Sequence, residues 1–289
     1  MSVANDLDEY TPVREVYLVR SPQEKAEADV VIAEEPLEIF VESETGQRQV
    51  VATTMRTPGE DSYLALGYLF SEGIVKFASE VKRVSRMEGV QCSTSGERSL
   101  NQVVVHLTSE TLPEGLTEHK RQGLQSSSCG LCGQTSIEHI FQSIYPDKKP
   151  SERIWRTEDV QQSLAAIKDC QPLFEQTGGS HGAWLLNADH SIAVSFEDIG
   201  RHNCLDKMLG YCLMHPETRN PDQTLIVSSR LSYELVHKAA ILGVNVLGSV
   251  GAPSSLAVEL AKILKITTLC FLNPHRFNIY TNPNFYFQF

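Results

Sequence analysis

Apolar and polar positions change rhythm part-way along this chain. Through the first hundred residues, Val13–Arg20, Val30–Ser43 and Gln49–Thr57 are rich in Val and Ile with polar interruptions, a pattern that predicts strands. The segment GEDSYLALGYLFSEGI (residues 59–74) carries Leu64, Leu66, Tyr68, Leu69 and Phe70, predicting one buried helix that Gly73 ends. Val81–Met87 and Gln102–Leu107 read as two more strands. From Thr108 to Gln125 the chain turns polar, with Pro113, Gly115 and Gly123. That composition places a boundary between a β-rich domain with one helix (1–123) and a second domain (124–289).

The second half alternates. Thr157 is the expected N-cap of a helix whose apolar face is Val160, Leu164 and Ile167, extending to Leu173. Ala183–Leu186 and Ile192–Phe196 predict a hairpin. A helix from about Asn203 carries Leu205, Met208, Leu209, Cys212 and Leu213 on one side. Then come strand Thr224–Ser228, helix Tyr233–Leu242, strand Val244–Val250, helix Ser255–Leu264 and strand Ile266–Phe271. Strands joined by helical crossovers predict parallel pairing with helices covering the sheet, an α/β class that is α+β overall once the first half is included. No repeat or low-complexity segment interrupts this.

Composition narrows the function classes. The 289 residues are 41% hydrophobic and 21% charged, which excludes a collagen, a coiled coil and a fully disordered chain. No apolar run approaches the roughly 18 residues of a membrane span, so no membrane partner is expected. The net charge of −11 disfavours a nucleic-acid footprint, although a few residues can still make one cleft positive. Seven cysteines, an odd number mostly in apolar segments, read as reduced thiols. The opening MSVANDLDEYTPVREV has neither a basic start nor an apolar block, so no secretory signal is expected and the cytoplasm is the expected compartment.

The sharpest chemical feature is SSSCGLCGQ (126–134). Cys129 and Cys132 stand three apart, beside Gly130 and Gly133, in a segment with little steric cover. Half of a zinc site, a dithiol couple, a nucleophile with an assisting thiol and a loop with incidental cysteines all fit that spacing. Zinc needs four ligands, and no second CxxC supplies them; His181, His202 and Cys204 would have to fold back. The zinc nucleobase deaminases carry H-x-E before P-C-x-x-C, whereas here His215–Glu217 follows the pair and Ser128 replaces the Pro. A thioredoxin-like couple lacks its βαβ context. An accessible sulfur nucleophile remains, its thiolate favoured by backbone N–H groups.

Three further segments offer ligand contacts. FEDIGRHNCLDKMLG (196–210) ends a strand and opens a helix, and it concentrates Glu197, Asp198, Arg201, His202, Asn203, Asp206 and Lys207. Helix N–H groups with Arg201 and Lys207 suit a phosphate or pterin oxygen. The alternative is Asn203 as a cap with Asp206 and Lys207 solvated. SSRLSYE (228–234) and GSVGAPSS (248–255) place Ser228, Ser229, Arg230, Ser232, Ser254 and Ser255 at strand ends, where open α/β sheets bind ligands; ordinary N-capping competes for each serine. FLNPHRFNIYTN (271–282) sets His275, Arg276 and Asn278 beside Phe277 and Tyr280, suiting a flat heterocycle with phosphates, or else forms a last edge strand with Arg276 on the surface.

In order along the chain, MRTPG (55–59), LALGYLFSEGI (64–74), SSCGLCG (127–133), TGGSHGA (177–183), EDIGRHNCLDK (197–207), SSRLSYELVHKAA (228–240), APSSLAVELA (252–261) and RFNIYT (276–281) resemble the FdhD family of formate dehydrogenase accessory proteins. The resemblance implies a sulfurtransferase that takes persulfide sulfur from a cysteine desulfurase and passes it to bis-molybdopterin guanine dinucleotide, activating formate dehydrogenase. It implies a cytidine-deaminase-like main domain without structural metal, beside the smaller β-rich domain. By the same resemblance Cys129 is the persulfide carrier and Cys132 the second thiol, which either releases the sulfur through a Cys129–Cys132 disulfide or tunes its partner. The family's cofactor-contacting stretch falls on Phe271, Leu272, Asn273, Pro274, His275 and Arg276, with Asn273-Pro274-His275 where glycines are expected. Arg201, His202, Ser229 and Arg230 complete the expected cofactor set, and a homodimer is expected from the size and symmetry of a bis-pterin cofactor. Two other classes fit the same residues: a zinc-dependent hydrolase or deaminase on Cys129, Cys132 and His202, and a cofactor-binding chaperone without catalysis.

Overall fold

A computed structural model describes residues 13–20, 23–87, 101–113, 116, 151, 153–282 and 287, with side chains from residue 28 onward. Among these are twelve strands and six α-helices. The first half holds β1 (Val13–Arg20) and β2 (Gln23–Val30), a two-stranded antiparallel ribbon. It continues with β3 (Glu35–Glu42), β4 (Arg48–Arg56), helix α1 (Asp61–Ser71), β5 (Val81–Met87) and β6 (Asn101–Leu107). These last four strands form a sheet ordered β4-β3-β6-β5, in which β3 and β6 are parallel and the outer pairings antiparallel. The single strand expected over Val30–Ser43 is thus two elements, and the expected boundary at 123/124 lies outside the described residues.

The second half begins with α2 (Thr157–Lys168), α3 (Pro172–Thr177), β7 (His181–Leu186) and β8 (Ile192–Asp198). It continues through α4 (Arg201–Met214), β9 (Thr224–Val227), α5 (Tyr233–Leu242), β10 (Val246–Ser249), α6 (Ser255–Ile263), β11 (Thr267–Asn273) and β12 (Arg276–Thr281). Thr157 opens α2 rather than capping it, and Leu173 belongs to the separate α3. The six strands order as β12-β11-β10-β9-β7-β8. Only β9, β10 and β11 are mutually parallel; β7, β8 and β12 run antiparallel to their neighbours, so the expected parallel sheet is a mixed one.

Both faces of that sheet are covered, which is why its strands are nearly all apolar. Alternation sends Ala183, Leu185, Leu225, Val227, Leu247 and Cys270 to one face, against α4, α5 and α6. Trp184, Leu186, Ile226, Val246, Leu269 and Leu272 face the other way, against α2, Trp155 and Phe287. The step from Cys270 to Leu272 breaks strict alternation because Phe271 takes a left-handed φ of 57° inside a β-bulge.

Helix α4 is buried almost all round. Its Leu205, Met208, Leu209 and Cys212 pack on the six-stranded sheet, while Leu213 joins Leu64, Ala65, Leu66 and Leu69 of α1 and the inner face of β3 and β6. The two helices meet at glycines. A Cβ on Gly67 would lie 1.7 Å from the Asp206 carbonyl oxygen, and one on Gly210 would lie 2.0 Å from that of Tyr63. No side chain fits there, so the backbones touch. Beside the crossing, Lys238 of α5 pairs with Asp206 and donates to Ser71 Oγ (2.9 Å), binding three helices through a buried charge. Gly67→Ala and Gly210→Ala are each expected to destabilise the fold by about 3 kcal/mol, because backbone rather than a mobile side chain must give way. Denaturant titration with an unchanged slope checks this.

Candidate functional site

The strand directions decide where side chains converge. The ends of β9, β10 and β11 share one edge, and antiparallel pairing brings the start of β7 and the end of β8 to the same edge. Helices α4, α5 and α6 begin there, each directing unpaired N–H groups outward. His181, Asp198, Arg201, His202, Ser228, Ser229 and Arg230 therefore stand together although they span 50 positions of sequence.

Most of the charged cluster at 197–207 is consumed internally. Glu197 accepts the amides of Leu173 and Phe174 (both 2.9 Å) and the Ser180 hydroxyl (2.7 Å), closing the start of α3. Asp198 is fully buried. Its Oδ1 accepts from Gly200 N and Asn203 Nδ2 (both 2.8 Å), and its Oδ2 accepts from Thr57 N (3.3 Å) and pairs with Lys207 Nζ at 2.8 Å. Lys207 also donates to the carbonyls of Thr57 and Glu197, and Asn203 donates to that of Met55. Asn203 is thus no helix cap, and Asp206 and Lys207 are buried rather than solvated. The turn after β4 is clamped to the start of α4 by these bonds.

Arg201 and His202 are left facing the edge, both partly exposed. His202 Nε2 lies 2.7 Å from Glu234 Oε2, close enough for an ion pair when protonated but out of line for a hydrogen bond. His181 Nδ1 lies 3.2 Å from Ser228 Oγ, which accepts from Gly182 N at 2.9 Å. Burial, then the charges of Arg201 and His202, push the His181 imidazole below its ordinary value, with Asp198 partly opposing them.

The serine turns divide by role. Ser229 is buried; its carbonyl accepts from Ser249 Oγ (2.6 Å) and Gly251 N (3.2 Å), and Gly251 O accepts from Phe271 N (3.1 Å). A Cβ on Gly251 would lie 2.7 Å from the Cα of Arg230, so a glycine is required for this lacing. The result is a ledge that presents the exposed Arg230 and Phe271. Ser254 caps α6 by accepting from Ala257 N, the ordinary role. Ser232 Oγ and the Tyr233 hydroxyl are buried with no hydrogen-bond partner among the described residues, at the start of α5.

The expected stretch 271–276 is split. Phe271 joins the ledge, 6.5 Å from the Tyr280 ring, whereas Leu272 is buried in the apolar layer on the α2 side. Asn273 Oδ1 accepts from the amides of His275 and Arg276, and Pro274 O accepts from Gln161 of α2, forming a turn with His275 and Arg276 exposed. β12 is the outer strand of the sheet, as the edge-strand reading of 276–281 expects. Cys129 and Cys132 lie outside the described residues. Burial pushes the four described thiols up: Cys270 and Cys212 to about 12, Cys204 well above its ordinary value, and Cys170 in the same direction. Cys204 donates to the His181 carbonyl and is no free ligand. Among the described residues no three His, Cys, Asp or Glu side chains gather closely enough to hold a metal ion.

Sequence reading missed the pairing of His181 with Ser228, the place of Glu234 beside His202, and the role of Met55–Thr57. The available signals were the TGGSHGA and MRTPG segments, which stand out for small residues but name no partner.

A family model described as the FdhD/NarQ family matches residues 32–286, and this chain belongs to that family. A curated relative from Anaeromyxobacter dehalogenans (strain 2CP-1), named sulfur carrier protein FdhD, is 40% identical over 88% of this chain and 87% of its own. A relative of the same name from Mycolicibacterium paratuberculosis is 36% identical over 95% and 98% of the two chains. A crystal structure from Desulfotalea psychrophila, described provisionally as a formate dehydrogenase accessory protein, superposes with a TM-score of 0.67 over 95% of this chain and 98% of its own. At 21% identity it speaks to the fold.

Two outcomes follow from the site's electrostatics. Lys207→Met strands Asp198 in a buried setting, so a loss of about 3 kcal/mol is expected, and Asp198→Asn added to it costs less than the sum of the single changes. A double-mutant cycle in denaturant reads this. His237 of α5 is pushed down to about 4 by burial, then by Lys238, with Glu234 opposing. Its unfolded value is about 6.5, so it contributes about 3 kcal/mol above pH 6.5 that is lost as pH falls toward 4. His237→Phe should flatten the stability profile over that window.

Proposed function

We propose that this chain is a sulfur carrier with sulfurtransferase activity, using Cys129 as the persulfide site and serving formate dehydrogenase. The partition of thiols carries the reading. A carrier needs an accessible, easily ionised sulfur; Cys204, Cys212 and Cys270 are buried with their thiols pushed well up, and the partly buried Cys170 is also shifted up rather than down. The glycine-flanked Cys129-x-x-Cys132 has the composition for the task, and the curated relatives are named sulfur carriers.

The Cys129 thiolate attacks the outer sulfur of a cysteine desulfurase's persulfide. A new S–S bond forms on Cys129 as the donor's S–S bond breaks and the donor cysteine leaves as thiolate. The acceptor substrate is bis-molybdopterin guanine dinucleotide. Its phosphates suit the three helix N-termini with Arg201 and Arg230, and the unpartnered Ser232 and Tyr233 hydroxyls are groups a polar ligand would satisfy. Phe271 offers a flat apolar surface beside Arg230. Cys132, by attacking the inner sulfur of the Cys129 persulfide, would form a disulfide and release the outer atom as sulfide. A cytoplasmic homodimer with a cytidine-deaminase-like second half belongs to the same proposal.

Incubation with a cysteine desulfurase and cysteine should add about 32 Da to the intact mass, mapped to Cys129. Cys129→Ala should take up nothing and fail to support formate dehydrogenase maturation. Full maturation by that variant overturns the reading, and stoichiometric zinc on Cys129 and Cys132 would favour a hydrolase instead.

A further inference from the structure

We propose that His181 is a ligand-binding residue of the strand-end site, donating its Nε2 proton to an uncharged acceptor atom on the guanine ring of the bound substrate. This rests on the reading of that edge as the substrate site and assigns it a contact that the charged residues cannot make.

Ser228 orients the ring. Its Oγ already accepts from Gly182 N at 2.9 Å, and we assign its own hydrogen to His181 Nδ1, 3.2 Å away. An accepting Nδ1 places the ring proton on Nε2. The electrostatics agree: burial, Arg201 and His202 all disfavour a second proton, and Asp198 opposes them only in part because Lys207 and three hydrogen bonds already engage it. Nε2 makes no hydrogen bond within the described residues, and the side chain is only partly buried. His181 is thus oriented at one end and open at the other.

Its neighbours set its specialty. Arg201 is a permanent cation and His202 stands by Glu234, so phosphate oxygens have charged partners there. A neutral donor adds little to an anion already paired with a guanidinium. It adds selectivity for a carbonyl or ring nitrogen, because a neutral group missing its partner in a partly buried site carries a desolvation cost. The backbone holds the ring in place: Gly182 and Ser228 exchange hydrogen bonds in both directions, and the His181 carbonyl accepts the Cys204 thiol.

Guanosine diphosphate is the probe, titrated calorimetrically into the full-length protein. His181→Ala is expected to lose about tenfold in affinity, the scale of one well-placed hydrogen bond. His181→Phe should lose as much despite keeping a ring, and His181→Gln, which restores a neutral N–H donor, should return to within about threefold. Ser228→Ala, which frees the ring to rotate, should lose about threefold. The ratio of wild-type to His181→Gln affinity should stay constant from pH 6.5 to 8, since a ratio rising toward acid would mark a cationic role and overturn the assignment. Equal binding by wild type and His181→Phe overturns the inference alone. No binding by wild type overturns it together with the reading of the edge as the substrate site, while sulfur loading at Cys129 stands or falls separately.

Discussion

The close crossing of α1 and α4 is the constraint on which the rest depends. With Gly67 against the Asp206 carbonyl and Gly210 against that of Tyr63, the helices are held closer than side chains permit. That closeness brings Ser71 and Asp206 within reach of Lys238. It also fixes the start of α4 against the turn after β4, where Asp198, Asn203 and Lys207 take up the backbone of Met55 and Thr57. Buried ion pairs contribute less to stability than to uniqueness in many folds, because desolvation offsets their attraction. Here each pair lies within the second half but hydrogen-bonds to the first, Asp198 and Lys207 to the Thr57 backbone and Asp206 and Lys238 to Ser71, so a shifted packing of the halves would leave those polar groups unmatched. We therefore read the pairs as setting register, and the apolar layers as supplying the stability.

The site follows from strand direction more than from any local motif. Parallel β9, β10 and β11 place three turns at one edge, and the hairpin of β7 and β8 brings His181 and Arg201 beside them. The lacing from Ser229 through Gly251 to Phe271 makes adjacent turns into one ledge. Loops laced by backbone hydrogen bonds keep their shape without a ligand, which lowers the ordering cost of binding.

Much of this was legible in the sequence, and the failures share a cause. Periodicity located β5 and α5 residue for residue, since each has clear apolar spacing between polar or glycine boundaries. It located the six-stranded sheet as apolar runs and β7 and β8 as a hairpin, yet it could not tell that the hairpin joins the parallel strands through antiparallel pairing of β7 with β9, because pairing direction leaves no mark on composition. Lys207 read as a phosphate contact, with solvated Asp206 and Lys207 as the alternative, because charged side chains are rarely buried, and groups that meet them in the interior lie far along the chain: Thr57 is 150 positions from Lys207 and Ser71 is 135 from Asp206. The bulge at Phe271 gave no warning, since a left-handed backbone at an aromatic residue is imposed by neighbouring strands. The buried thiols were legible from their apolar flanks.

On the proposed function an acidic chain meets a phosphorylated substrate, so its negative charge has to be placed elsewhere than at the mouth of the site. The chain carries −11 overall, and 197–207 alone contains three carboxylates. Each is matched within the fold: Glu197 by the first amides of α3, Asp198 by Lys207, Asp206 by Lys238. Glu234 lies against His202. With those charges compensated close by, the field at the strand ends is set by Arg201, Arg230 and the helix N-termini. The density of acidic residues that made this segment look chemically rich is mostly scaffolding, and it leaves Arg201 and His202 at the strand ends beside Arg230 and His181.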